Sequence, residues 1–456
     1  MKSRKLFALV GLAAMTLASC SNENKEGQVL NIHCWNTEFR DRFEKFYPDA
    51  TKNEDGTFTL KNGHKVVFKV TANEGNAYQI ALDAALKNQK TAKNKDKVDM
   101  FLMEADYALK YANSDYTMDV KDVGLTDADL ADMYDYTKVI ATDGRNGKLK
   151  GVSWQATPGL FAYRTDVAEA VFGTSDPDAV QAKLADWDKF NAAAAEAKKK
   201  GYYMLSGYDD SYRTFSNNAS TAWADANGKL TLDPQIKNWI KQTKDYTEKG
   251  YSHKTKLWDN DWAKDQGPTA DPAVLGFFYS TWGIDFTLKG NSLADKDKPE
   301  ALGNGLYGKY RVCRGPANYY WGGTWLCAAE GTDNVEDIKD IMKVLTCDKN
   351  VAKSITEGTQ DYTNNKTAMH EIATSDFGSP FLGGQNHIAL FEQTAKELRI
   401  AAMSAYDQGC NENIQNAMHD YFAGTVDYKT AIANFKNAVK ALYPEVTFDA
   451  TFDADL

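Results

Sequence analysis

The chain has 456 residues, of which 43% are hydrophobic and 25% charged, a length that accommodates two or three domains with full cores and a balance that excludes a disordered tail, a collagen or a multi-span membrane protein. Lys and Arg total 53 against 63 Asp and Glu, a formal charge of −10; that sign excludes a protein whose affinity comes from neutralising phosphates, so no nucleic-acid partner is expected. The 21 Phe, 24 Tyr and 10 Trp make 12% of the chain, and many stand beside Gly, Asn and Asp, a placement that points to a binding surface as well as a core.

At the start, Lys2, Arg4 and Lys5 precede an apolar stretch, Leu6 to Leu17, too short for a comfortable bilayer span. Leu17-Ala18-Ser19-Cys20 follows. This resembles a bacterial lipoprotein signal over residues 1–19, which implies cleavage before Cys20 and attachment to a membrane through lipid on that cysteine. Cleavage removes three basic residues and no acidic ones, taking the formal charge from −10 to −13. Residues 20–27, small and polar, read as a flexible tether. The remaining cysteines, Cys34, Cys313, Cys327, Cys347 and Cys410, form no C-x-x-C pair and no zinc set. Buried thiols are expected, with a Cys313 to Cys327 bridge left open.

Short apolar strands then alternate with amphipathic helices. Val29 to Trp35 reads as a strand, and Glu38 to Phe46 as a helix with Phe39, Phe43 and Phe46 in helical spacing, stopped by Pro48. Thr57 to Leu60 and Lys65 to Thr71 flank Asn62-Gly63, a hairpin turn signal. Ala77 to Lys87 is a helix with Ile80, Leu82, Ala85 and Leu86 available for packing, and Val98 to Met103 is a strand ending in Glu104-Ala105-Asp106. A Gly and Asn cluster at 142–147 marks the start of a second unit. Its elements are a helix over Trp187 to Lys200, a strand over Tyr202 to Gly207, a turn at Asp225 to Gly228, a helix over Pro234 to Lys249, and a buried strand from Leu275 to Tyr279 that delivers Ser280-Thr-Trp-Gly283. The class is α/β.

In such sheets ligands sit beyond the carboxyl ends of the strands. Three polar loops would gather there: Trp35-Asn36-Thr37-Glu38, Asn73-Glu74-Gly75-Asn76 and Glu104-Ala105-Asp106.

Several landmarks stand in one order along the chain: Trp35-Asn36, Val98-Asp-Met-Phe101, the segment from Gly144 to Gln155, Ala162-Tyr163-Arg164-Thr-Asp166, Trp187, Gly276 to Trp282, Pro316 with Gly322-Gly323, and a late Gly424 in a helical C-terminus. In that order the chain resembles the extracellular solute-binding lipoproteins of carbohydrate ABC transporters, the broad group that includes the maltose-binding proteins. The resemblance departs at Arg164, where the family usually has Asn, and across 357–384, which matches nothing in the pattern. It implies a two-lobe fold of the periplasmic-binding-protein kind, each lobe a mostly parallel sheet flanked by helices, with a hinge crossed three times. The expected crossings lie near Lys148, Arg314 and Lys349. Lobe 1 is then 28–148 with 314–348, lobe 2 is 149–313 with 349–445, and 446–456 is a C-terminal tail. The implied function is a monomeric receptor that captures a carbohydrate ligand between the lobes and delivers it to ABC transporter permease subunits.

A sugar offers weakly apolar C–H faces and a rim of hydroxyls, so it needs aromatic platforms beneath the ring and planar polar groups at its edge. The expected aromatic contacts are Trp35, Trp154, Trp258, Trp282, Trp321 and Trp325. Core packing is the competing role for each, and the positions of Trp35 and Trp282 directly after strands favour ligand. Asn36, Glu38, Glu74, Glu104, Asp106, Gln155, Asp209, Asp210 and Asp285 are the expected hydroxyl partners, and Gly322-Gly323 allow close backbone approach.

Two other classes share these features. A glycoside hydrolase also uses paired acids and aromatic subsites, but no residue pair is singled out as acid and nucleophile, so no catalytic residue is expected. A receptor for peptides or amino acids would use an Asp and an Arg, for which Arg164 and Arg213 qualify; the tryptophan count favours sugar. The six His lack metal-ligand spacing, Asp259 to Asp265 departs from a calcium loop, and no phosphate-cradling motif occurs, so neither metal nor cofactor is expected.

Overall fold

The computed structural model describes residues 28–400, 402–454 and 456; the signal, Cys20 and the tether lie outside the described residues. In chain order its strands are β1 (Val29–Cys34), β2 (Ala50–Lys52), β3 (Phe58–Leu60), β4 (Lys65–Val70), β5 (Met100–Glu104), β6 (Val152–Ser153) and β7 (Gly159–Arg164). They continue with β8 (Leu205–Gly207), β9 (Lys229–Leu230), β10 (Ser252–Thr255), β11 (Gly276–Ser280), β12 (Tyr310–Cys313), β13 (Thr324–Ala328) and β14 (Thr447–Phe448).

A seven-stranded sheet has the order β2-β3-β4-β1-β5-β13-β6. At its centre β1 runs parallel to both β4 and β5, as strand–helix–strand connections require. The Asn62-Gly63 turn joins β3 and β4 as an antiparallel hairpin. The helix Glu38–Phe46 buries Phe39 and Phe43 and carries Glu38 and Asp41 in its first turn and Lys45 in its last, the charge order its dipole favours. In the helix Ala77–Asn88 the buried apolar residues are Tyr78, Leu82 and Leu86, whereas Ile80 is exposed.

A second sheet has the order β11-β7-β12, buried throughout β7 and β11. Here the expected parallel arrangement gives way: β7 is antiparallel to both neighbours. The helices after β7 do lead to a parallel pair, β8 with β10. The chain then returns in the opposite direction to insert β11 and β12 on either side of β7.

Three segments run side by side between the two sheets. The Gly159 amide donates to the Tyr319 carbonyl and the Trp321 amide to that of Thr157. The third segment joins through the Ala156 amide on Tyr362 and the Asn364 amide on Trp154. Beyond the expected crossing near Lys148, β6 still pairs with β13 in the large sheet. The connections therefore run through 154–158, 320–323 and 361–364. Gly159 is required there, because a Cβ would fall inside the Tyr319 ring.

Besides the large core that joins the two sheets, Met103 and Trp325 with Leu160 and Tyr279, separate cores underlie each sheet, and a third such core packs the C-terminal helices Asp407–Ala423 and Tyr428–Leu442 against Trp239 and Tyr212. Val446 and Phe452 are buried in that third core, with Phe452 stacked on Phe435, so the last residues pack instead of trailing. The five described cysteines are free, with Cys313 on β12 and Cys327 on β13 in different sheets. No helix among the described residues is long and apolar enough to cross a membrane.

Candidate functional site

The carboxyl ends of β1, β5 and β11 converge on one cavity of about 450 Å³ between the two sheets. β1 delivers Trp35 and Asn36, β5 delivers Glu104, and β11 delivers Thr281 and Trp282. Gly322 and Gly323, entering β13, close one side. Both glycines hold positive φ, 72° and 114°, and a Cβ on Gly322 would meet the Trp282 indole nitrogen at 3.1 Å. Only glycine leaves that space free.

The cavity floor is a polar chain that reaches from one sheet to the other. Gln155 Nε2 donates to Glu38 Oε1 and to Asp361 Oδ2, both at 3.0 Å, and the Thr281 hydroxyl donates to Asp361 Oδ1 at 2.5 Å. Burial, and then the nearby Asp361 charge, pushes the Glu38 carboxyl up to about 7. Burial and then Asp106 raise Glu104, whose Oε2 accepts from the Asp106 amide at 2.8 Å. Protonated, such carboxyls donate as well as accept, which suits hydroxyl groups that do both.

The aromatic surface comes from Trp35, Trp282, Trp321 and Phe286. Trp35 is half-buried, held edge-on by Tyr78 and Tyr107. Trp282 donates its indole N–H to the Trp321 carbonyl at 2.8 Å and meets the Trp321 ring at 5.3 Å. Phe286, one turn after Trp282, is 84% exposed at the cavity wall. Trp258, 55% exposed and near-parallel to Trp282 at 6.3 Å, stands outside this cavity's lining.

The structure thus brings together Trp35, Asn36, Glu38, Glu104, Gln155, Trp282, Asp285, Trp321, Gly322 and Gly323. Asp106, Asp209, Asp210 and Trp258 line a neighbouring cavity that shares Trp321. Two expected contacts belong to the core instead. Trp154 is buried and stacks on Phe39 at 5.3 Å, and Trp325 is buried with its N–H on the Thr137 carbonyl. They point into cores on opposite faces of the large sheet, Trp154 with Leu326 and Trp325 with Cys327. Glu74 is exposed and lines no described cavity, because β4 lies on the far side of β1 from β13.

Sequence reasoning missed Asp361, Thr281, Arg42 and Phe286. Thr281 and Phe286 flank Trp282 closely enough for its strand-end position to have flagged them, and Arg42 lies one turn beyond Glu38 on a helix already read. Asp361 lies in the segment 357–384 that gave no pattern. Among the described residues no group of three or more His, Cys, Asp and Glu is arranged to hold a metal ion.

Known proteins align with this architecture. A family model described as bacterial extracellular solute-binding protein matches residues 57–378. A comparison with curated protein sequences returns no match. Among solved structures, an extracellular solute-binding protein of family 1 superposes with a TM-score of 0.69 at 17% identity, over 91% of this chain and 100% of that one. An ABC transporter-associated binding protein from B. animalis subsp. lactis Bl-04, in complex with β-1,6-galactobiose, has a TM-score of 0.64 at 17% identity, covering 92% and 99%. The galacto-N-biose/lacto-N-biose I-binding protein of Bifidobacterium longum, in complex with lacto-N-biose, gives 0.63 at 13% identity, covering 93% and 100%. With the family model matched over more than half its length and the fold shared along nearly all of it, this chain belongs to the bacterial extracellular solute-binding proteins.

Proposed function

We propose that the chain is an extracytoplasmic receptor, tethered to a membrane by lipid on Cys20, that captures a sugar or oligosaccharide between two lobes and delivers it to the permease subunits of an ABC transporter. The observation that carries this is the pairing, in one cleft, of the half-buried Trp35 and Trp282 faces with the Glu38–Gln155–Asp361 chain. Aromatic faces meet the C–H surface of a ring while the amide and carboxyls bond its hydroxyls. Related folds hold β-1,6-galactobiose and lacto-N-biose, which supports the same ligand class here.

In this reading one lobe is 28–153 with 324–360, the other is 159–319 with 365–454, and the three linking segments form the hinge. Both lobes contribute ligand groups, so a bound sugar favours the closed arrangement by touching both sides. In this reading the chain acts as a monomer and without a catalytic residue, as a binding protein like the sugar-bound relatives of the same fold.

A thermal-shift screen of the purified chain against mono- and oligosaccharides, amino acids and short peptides tests the reading. A sugar at one hundred times its Kd should add about 2.7 kcal/mol of stability. Stabilisation by peptides alone would replace sugar with peptide as the ligand class.

A further inference from the structure

Behind the indole cluster lies a second chamber of about 250 Å³, for which Trp321 serves as a shared wall with the main cleft. Trp258 lines it with the backbone at φ 72° and the side chain 55% exposed. A tryptophan this exposed forgoes the burial its size favours. Its ring stands 5.2 Å from Trp262, 6.0 Å from Trp321 and 6.3 Å from Trp282, the last nearly parallel. The indoles therefore form a continuous apolar rail from the main cleft into the chamber.

The two compartments also share one electrostatic character. The main cleft is lined by Glu38, Asp41, Glu104, Asp285 and Asp361 against one guanidinium, Arg42, which faces Glu38 at 3.7 Å. The chamber is lined by Asp106, Asp209, Asp210 and Glu412 against one guanidinium, Arg213, which is paired through both terminal nitrogens with Asp106. Neither lining includes a lysine. A ligand carboxylate or sulfate would find both cations of the two linings already paired and no unpaired cation to replace its hydration, an arrangement that excludes it.

We infer that the ligand is an oligosaccharide without acidic groups, which runs along the Trp282, Trp321 and Trp258 indoles so that one end occupies the main cleft and the other the second chamber. This rests on the sugar-receptor reading above and narrows it: single rings fill one compartment only, and uronate-bearing or sulfated chains are refused.

Calorimetric titration of the full chain with neutral gluco-, galacto- and xylo-oligosaccharides of one to six rings, and with oligogalacturonates of matching length, tests it. Affinity should rise at least tenfold from one ring to the best longer ligand, with oligogalacturonates giving no binding. Trp258→Ala, with folding checked by its melting temperature, should lose most of that tenfold gain while holding short ligands as before. A monosaccharide that binds as tightly as every longer neutral ligand, an unchanged length dependence in Trp258→Ala, or oligogalacturonate binding equal to the neutral series overturns the inference while leaving the receptor reading intact. If no sugar binds at all, the receptor reading itself falls, and this inference with it.

Discussion

Asp106 and Arg213 meet fork to fork, with Nη1 on Oδ1 at 2.6 Å and Nη2 on Oδ2 at 2.5 Å. Asp106 follows β5 in the large sheet, whereas Arg213 lies on the short helix Tyr212–Ser216 beyond the second sheet. The pair spans the two sides of the molecule, with Gln79 donating to Gln408 at 2.9 Å as a companion contact. Bidentate geometry makes it one of the stronger kinds of ion pair, and its partial burial limits screening by water.

In the proposed closure this pair forms as the lobes meet, so Arg213→Ala should favour an open arrangement. A closed state weakened by about 1.4 kcal/mol lowers ligand affinity roughly tenfold. Small-angle scattering of the ligand-free variant should give a larger radius of gyration than the wild type. Equal radii and equal affinities would remove the pair from the closing contacts.

The two classes of tryptophan should separate in experiment. Trp35→Ala and Trp282→Ala should weaken sugar binding by about 2 kcal/mol or more, as anchoring aromatics do, with modest loss of stability. Trp154→Ala and Trp325→Ala should instead destabilise the fold by about 3–5 kcal/mol, because each leaves a cavity in a closed core. Paired denaturation and calorimetry on all four variants checks both halves. A Trp282→Ala protein that binds as well as wild type would return that residue to packing.

Gly322→Ala offers a smaller perturbation of the same wall. Its φ of 72° strains any L side chain, and the new Cβ would lie 3.1 Å from the Trp282 nitrogen that donates to Trp321. Sugar affinity should fall several-fold while the melting temperature drops by only a few degrees. Wild-type affinity in this variant would mean that the loop moves aside without displacing Trp282.

Glu38 supplies a pH dependence of definite sign. Its folded carboxyl sits at about 7 against an ordinary 4.5, so between those values the folded chain binds more protons than the unfolded one. Stability contributed at low pH is therefore lost as pH rises through that window. Replacing it by Gln, which keeps the oxygen that accepts from Gln155, removes the loss. His33, lowered to about 4 mainly by burial, acts in the opposite direction but is common to both proteins. Denaturant titrations should show the Glu38→Gln variant gaining on the wild type from pH 5 to about pH 7 and levelling off above it. A constant difference would mean that Glu38 titrates as an ordinary surface acid.

Local signals carried far in this chain. The Asn62-Gly63 hairpin, the Phe39 and Phe43 face and the strand ends at Trp35 and Trp282 were legible because each depends on a few adjacent residues. The antiparallel placement of β7 was not, since it depends on how distant segments return to the sheet. Trp35 and Trp154 both sit at strand ends, and local sequence does not distinguish them; Phe39, brought by the following helix, covers Trp154. Asp361 escaped for a similar reason. In sequence it is one acid after a helix, and only the third linking segment carries it under Gln155 and Thr281.

The central claim is reversible capture of an intact sugar, and a calorimetric titration with the best neutral oligosaccharide, followed by chromatography of the same sample, tests it most directly. The account predicts one sugar bound per chain, loss of that heat in Trp282→Ala, and recovery of the ligand unchanged in length. Shortened products, or no saturable binding by any sugar tested, would contradict it.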